Sequence, residues 1–155
     1  MSRLLIQSHQ EFEQHLGKKL GVSDYHTITQ DQINKFADAT LDHQWIHTDP
    51  ERAKKEGAFG STIAHGYLTI SLLPLMWEQV VDVRNFKMLV NYGIDQFKFG
   101  APVLVNNNVR THVWLKECTN LRGISRIKLR VQMEIEGSKK PAFDGSITFL
   151  YHFNS

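Results

Sequence analysis

Only one cysteine, Cys118, stands in 155 residues. A lone thiol excludes an internal disulfide and suits a reducing compartment, so the core alone must hold the fold. No stretch approaches the roughly 20 apolar residues of a membrane span. The N-terminus, MSRLLIQSHQEFEQHLG, turns polar after three apolar residues, too few for a secretory signal. Basic runs stop at two lysines, at Lys18-Lys19, Lys54-Lys55 and Lys139-Lys140, and the formal net charge is only +2. A nucleic-acid binder would concentrate its positive charge. Repeats, low-complexity tracts and linkers are also missing, so nothing marks a second domain. The expectation is one soluble, cytoplasmic domain spanning residues 1–155, with no nucleic acid and no membrane among its partners. Apolar residues make up 41% of the chain, and a chain of this size buries roughly two-thirds of its unfolded surface.

Two textures divide the sequence. From residue 10 to about 80 the apolar pattern is mainly helical. In ITQDQINKFADAT, Ile33, Phe36 and Ala37 recur at helical steps, and Thr29 with Gln32 has the form of a capping box, which predicts a helix over about 30–38. In TDPERAKKEG, Asp49 precedes Pro50 at a first helical position and Gly57 sits where the helix should stop. The segment AHGYLTISLLPLMWEQVV is apolar on nearly every side, which predicts a buried helix that Pro74 kinks or breaks.

From about residue 86 the pattern alternates. In RIKLRVQMEIEG, Ile127, Leu129, Val131, Met133 and Ile135 point one way and the charged residues the other, the period of a strand with one wet face. MLVNYGIDQFKF, NVRTHVWLKE and SITFLYHF give three more strands, with turns expected at Gly100–Val103, Asn106–Asn108, Thr119-Asn120 and Gly137-Ser138. Short links favour an antiparallel sheet, and one very apolar helix is there to cover it. The fold class is α+β.

The polar stretch LDHQWIHTDPERA carries the chemistry. Asp42 and His47 are close enough to converge on one small molecule, and a carboxylate beside an imidazole is a general acid–base pair. Taken alone, the spacing is more often that of polar surface than of an active site. Asp42, His43, His47, Asp49 and His65 offer nitrogen and oxygen donors for a metal, but HExxH and paired cysteines are missing. Ser61 lies outside any GxSxG elbow and Cys118 has no histidine near it in sequence, so neither reads as a nucleophile. Downstream, His65-Gly66 stands at the expected start of the buried helix. Its unpaired amides suit a developing oxyanion, although a glycine there equally permits tight packing.

The run FADATLDHQWIH at 36–47, followed by Ala53, GSTIAHGYLTISLLP and NYGIDQFKFGAPVLV, resembles the MaoC-like dehydratases, which include the (R)-specific enoyl-CoA hydratases. The similarity is strongest to the branch resembling nodulation protein N and covers roughly residues 10–153. It implies a hot-dog fold, a long central helix wrapped by a curved antiparallel sheet, paired as a homodimer. It implies Asp42 and His47 as catalytic residues and the Gly66 backbone amide as oxyanion donor. The implied reaction is reversible syn addition of water to a trans-2-enoyl-CoA, giving the (R)-3-hydroxyacyl-CoA, with no metal and no organic cofactor. Gln44 is placed to orient the dyad or the substrate. His65 and Tyr67 flank the oxyanion glycine as substrate-side residues, and Lys98 is the candidate for coenzyme A phosphates, with a solvated strand lysine as its other reading. His43 should face away and Trp45 should pack the loop down. Tyr67, Trp77, Phe97 and Phe99 fit an acyl tunnel or the core. One departure stands out: Leu41 occupies a position where glycine is usual, and it is strained if that position needs a positive φ. A hot-dog thioesterase and a non-catalytic acyl-thioester-binding module are the alternative functions.

Overall fold

The computed structural model describes residues 2–155. The chain runs β1 (Leu4–Ile6), α1 (His9–Glu13), β2 (Lys19–Val22), β3 (His26–Thr27), α2 (Gln30–Thr40), α3 (Trp45–Thr48) and α4 (Pro50–Glu56). It continues through α5 (Gly66–Ser71), α6 (Leu73–Val80), β4 (Val81–Val83), β5 (Phe86–Phe99), β6 (Asn108–Leu121), β7 (Ile124–Ile135) and β8 (Phe143–Phe153).

Local chemistry sets the helix ends. The Thr29 hydroxyl accepts the Gln32 amide at 3.1 Å and opens α2. The capping box is only half formed, because the Gln32 side chain is drawn to His26 Nε2 at 2.8 Å. Asp49 caps α4 by accepting the Arg52 amide at 3.0 Å, Pro50 follows in the first turn, and Gly57 ends the helix. The central helix is two helices. α5 stops at Leu72 and α6 restarts with Pro74 in its first turn, where a missing N–H costs least. Its burial is also one-sided: Leu68, Leu73, Met76, Trp77 and Val80 face the core, whereas Tyr67 and Leu75 lie in the open. An apolar surface on every side does not here mean burial on every side.

The sheet orders its strands β2-β6-β7-β8-β5, with β3 also on β6, and all these pairings are antiparallel. Strict alternation in β7 sends Ser125 through Ile135 alternately into the core and outward. Three register breaks in β5 bend the strand, and the sheet wraps the helix pair in the hot-dog manner. The hairpin between β6 and β7 turns at Arg122-Gly123, both at positive φ, and not at Thr119-Asn120. The Asn120 carboxamide instead accepts the Gly123 amide at 2.8 Å and closes the turn. Two short strands, β2 and β3, fall in the segment whose pattern reads as helical, and β1 and β4 flank it. Of these, β1 and β4 form a separate parallel pair, Leu4 opposite Val81.

Between helices and sheet lies one continuous core that includes Phe12, Met76, Trp77, Leu115, Leu129, Phe143 and Tyr151. The buried Trp77 indole N–H is satisfied by the Tyr151 hydroxyl at 2.6 Å. On the outer face of the sheet, Glu134 accepts from Arg110, His112 and Tyr25. The Arg110 guanidinium leads in holding its carboxyl down at about 2. Among the described residues no helix is long and apolar enough to cross a membrane.

Candidate active site

The site is built where α2 ends. Leu41 closes that helix in the left-handed region, φ 67° and ψ 17°, its amide donating to the Ala37 carbonyl at 2.7 Å. Leucine there carries the steric conflict of its Cβ with the backbone that glycine avoids. The reversal turns the chain at Asp42 and into the single turn of α3, which buries His47.

A second segment meets this loop. The Ile63 amide donates to the Ile46 carbonyl at 3.0 Å and the Ala64 amide to the Val103 carbonyl at 2.8 Å, fixing residues 63–65 between the loop and the start of α5. His65 lies there, 3% exposed. Its ring stacks on that of His47 with centroids 3.9 Å apart, and Phe36 leans on it at 4.9 Å. One donor atom each from Asp42, His47 and His65 lies within 4.8 Å of the others.

The hydrogen bonds fix both tautomers, because a carbonyl can only accept. His47 Nδ1–H donates to the Ile63 carbonyl at 2.7 Å, which leaves Nε2 with its lone pair. His65 Nε2–H donates to the Asp42 backbone carbonyl at 3.0 Å, which leaves Nδ1, buried and without a partner. Burial holds the His47 imidazole below its ordinary pKa and His65 adds to that, while the Ile63 carbonyl and Asp42 pull the other way. His47 is therefore mostly neutral at pH 7, with a ring nitrogen within 4.8 Å of an Asp42 carboxylate oxygen.

Gly66 is the first residue of α5. The Leu68 and Thr69 amides close onto the His65 carbonyl, so the Gly66 amide lies ahead of the first intrahelical bonds. A Cβ at Gly66 would stand 2.8 Å from the Phe99 ring, so any larger residue would have to push that ring aside. Phe99, Tyr67, Phe59 and Pro102 form with Gly66 an apolar groove of about 520 Å³.

Of the residues the sequence singles out, Asp42, His47 and His65 converge and Gly66 follows directly. Tyr67 is 73% exposed on the groove wall, edge-on to Phe99. Gln44 is exposed at the start of α3 and its side chain caps nothing; its amide makes a long 3.4 Å contact to the Asp42 carboxylate. His43 turns away to Asp38 at 2.9 Å, and Trp45 lies under the Arg52 guanidinium at 4.4 Å. Lys98 is opposite Asp144 in the ladder, on the outer face of the sheet, and is not brought to the dyad. Trp77 is core. Sequence reasoning missed Gln30, whose carboxamide donates to the His47 carbonyl at 2.7 Å and accepts from the buried Thr62 hydroxyl. It clamps α3 to the 62–65 segment. Only a polar residue at a helix start signals it, which is too common to point anywhere.

Comparison with known proteins adds four findings. Residues 11–136 match the family described as MaoC like domain. The chain is 48% identical over 127 residues to 3-hydroxyacyl-thioester dehydratase Z of Mycobacterium tuberculosis (strain ATCC 25618 / H37Rv), covering 81% of this chain and 83% of that protein. It is 42% identical over 142 residues to nodulation protein N of Rhizobium leguminosarum bv. viciae, covering 90% and 88%. Among solved structures, the (R)-hydratase from A. caviae involved in PHA biosynthesis superposes with a TM-score of 0.70 at 23% identity, over 86% of this chain and 94% of that one. That last likeness is one of fold.

Proposed function

The chain belongs to the MaoC-like domain family, and on that premise we propose that it is an (R)-specific enoyl-CoA hydratase, in reverse a 3-hydroxyacyl-CoA dehydratase, of fatty-acid metabolism. The observation that carries the reading is the neutral His47, with a ring nitrogen within 4.8 Å of an Asp42 carboxylate oxygen and its ring stacked on His65 at the start of α5. Dehydratase Z acts on 3-hydroxyacyl thioesters by its name, and the same substrate class supports this reading.

The mechanism follows from the groups present. Water held between Asp42 and His47 gives a proton to the pair, and its oxygen bonds to C3. The electron pair of the double bond moves towards the thioester oxygen, where the Gly66 amide meets the charge. The pair then returns a proton to C2 from the same side, so H and OH add syn and the atoms balance without a metal or organic cofactor. Acid–base help of this kind is worth roughly 10²–10⁴-fold, and one oxyanion donor about 3 kcal/mol. The thioester enters along the groove between Tyr67 and Phe99.

In this reading the whole chain acts as one cytoplasmic domain and works as a homodimer. β5 is an edge strand of the sheet, and Met88, Tyr92 and Ile94 on it are at least half exposed. A long, bare apolar edge is a liability unless another chain pairs with it, and a second copy is the occupant we propose. Light scattering on the eluted protein should give twice the chain mass.

The activity test uses a short trans-2-enoyl-CoA. Loss of the conjugated absorbance without free thiol supports hydration. Thiol release would make the protein a thioesterase, and neither signal across several chain lengths would leave a binding module.

A further inference from the structure

We infer that Phe99 sets the substrate class of this site: its ring walls the place where the thioester lies, so that the protein takes acyl thioesters unbranched at C2 and refuses those carrying a C2 methyl. The inference rests on the hydration reading for the position of the thioester oxygen, at the Gly66 amide. Two observations carry it. A side chain at Gly66 would begin at a point whose three nearest atoms all belong to the Phe99 ring, Cε1 at 2.8 Å, Cζ at 2.9 Å and Cδ1 at 3.3 Å. Gly66 and Phe99 also line the same apolar groove, so the ring faces whatever the groove holds. A thioester whose oxygen accepts from the Gly66 amide has its C2 one bond from that carbonyl carbon. A hydrogen on C2 is small enough to lie beside the ring, whereas a methyl competes with the ring for the space next to Gly66.

The ring is also buttressed. Phe97 meets it edge-on at 5.7 Å and Tyr67 edge-on at 6.5 Å. Phe97 is in turn seated against Phe143, with centroids 4.7 Å apart, and over Gly145, where a Cβ would stand 2.5 Å from it. Glycine at 66 and at 145 thus leaves room for two neighbouring rings. Directly after Phe99, the Gly100 amide donates to the Ala142 carbonyl and the Ala101 amide to the Pro141 carbonyl, both at 2.9 Å, which fixes the end of β5. A methyl on C2 has to displace a ring that its neighbours hold, and one carbon too many in an apolar site costs roughly 10–200-fold in discrimination. Phe99 is itself 52% exposed, so shortening it spares the core.

The test compares trans-2-butenoyl-CoA with trans-2-methyl-2-butenoyl-CoA, which differ by the one C2 methyl. The methyl also changes the intrinsic reactivity of the double bond, so the readout is the ratio of the two kcat/KM values in Phe99→Ala against the same ratio in the wild type. Phe99→Ala should raise the relative rate on the branched substrate at least about 10-fold. Phe59→Ala widens the same groove elsewhere and should leave the ratio near the wild-type value. Calorimetric binding of propanoyl-CoA and 2-methylpropanoyl-CoA, which cannot add water, makes the comparison without turnover. The wild type should bind propanoyl-CoA more tightly, and Phe99→Ala should narrow the gap. Circular dichroism checks folding; should Phe99→Ala fail to fold, Phe99→Leu, which also shortens the reach of the side chain, replaces it. An unchanged ratio in the folded variant, or an equal rise in Phe59→Ala, would overturn the role of Phe99 and leave hydration standing. No hydration of either substrate by the wild type would defeat the hydration reading, and the binding gap would then decide the wall by itself: its loss in Phe99→Ala upholds the wall, and no gap in the wild type overturns it.

Discussion

Replacing Leu41 by glycine should stabilise the protein. Leu41 sits at φ 67° and ψ 17° with 79% of its surface exposed. A left-handed conformation costs a residue with a Cβ roughly 1–2 kcal/mol, and glycine escapes it. Against this, glycine gives the unfolded chain more freedom, worth about 0.4–1 kcal/mol. An exposed side chain returns little by burial, and the amide bond to Ala37 is backbone and survives. The balance is a gain of about 0.5–1 kcal/mol, or roughly 1–4 °C in Tm for a chain of this size. Urea unfolding should show the midpoint rising with an unchanged slope. Leu41→Ala serves as the control, since alanine keeps the steric cost and should not share the gain. A destabilised Leu41→Gly, or an equal gain in Leu41→Ala, would refute the attribution to φ. Turnover should be unchanged in both variants, because the loop already adopts the conformation that presents Asp42.

Three further outcomes follow. More than half of the hydration rate should remain at pH 6.5, because burial lowers the His47 pKa from 6.5 and most of the imidazole is still neutral there. The same shift contributes stability above pH 6.5 that is lost as pH falls through the lowered pKa; a kcat/KM profile already half lost at pH 6.5 would contradict it. Glu134, held at about 2 in the fold, contributes stability above about pH 4.5 that disappears as pH falls towards 2. Melting followed against pH should therefore be flatter across that window in Glu134→Gln. Gln30→Ala removes the clamp on the His47 carbonyl and the Thr62 hydroxyl, so it should cost about 1–3 kcal/mol of stability. It should also lower kcat more than it raises KM, and an equal rise in KM alone would mean that Gln30 acts only in binding.

What the sequence shows and what it hides divide on physical lines. The long strands are legible because alternation is a local consequence of one wet face, as in Ile127 to Ile135, and α2 and α4 are legible because Thr29, Asp49 and Gly57 act within one turn of themselves. The short strands β1 to β4 are not, since residues such as Leu4 and Val81 acquire their partners only when distant chain segments meet. The β6–β7 turn is misplaced for a related reason. Arg122 takes a positive φ that its side chain does not advertise, while Asn120, the residue that looks like the turn, serves it from outside. Asp42 and His47 are found by spacing and resemblance together, and the strained φ at Leu41 is foreseen from the missing glycine. The stacking of His65 on His47, the tautomers and the Gln30 clamp are tertiary facts with no local pattern. Lys98 stands opposite Asp144 in the β5–β8 register, which agrees with its reading as a solvated strand lysine.

The most direct test of the central claim is the hydration rate of a short trans-2-enoyl-CoA measured on the wild type beside Asp42→Asn and His47→Gln, with folding and mass of each variant checked. The wild type should hydrate the enoyl-CoA, and either variant should show a fall of at least about 10²-fold with the fold retained. Near wild-type hydration in a folded Asp42→Asn or His47→Gln would contradict it.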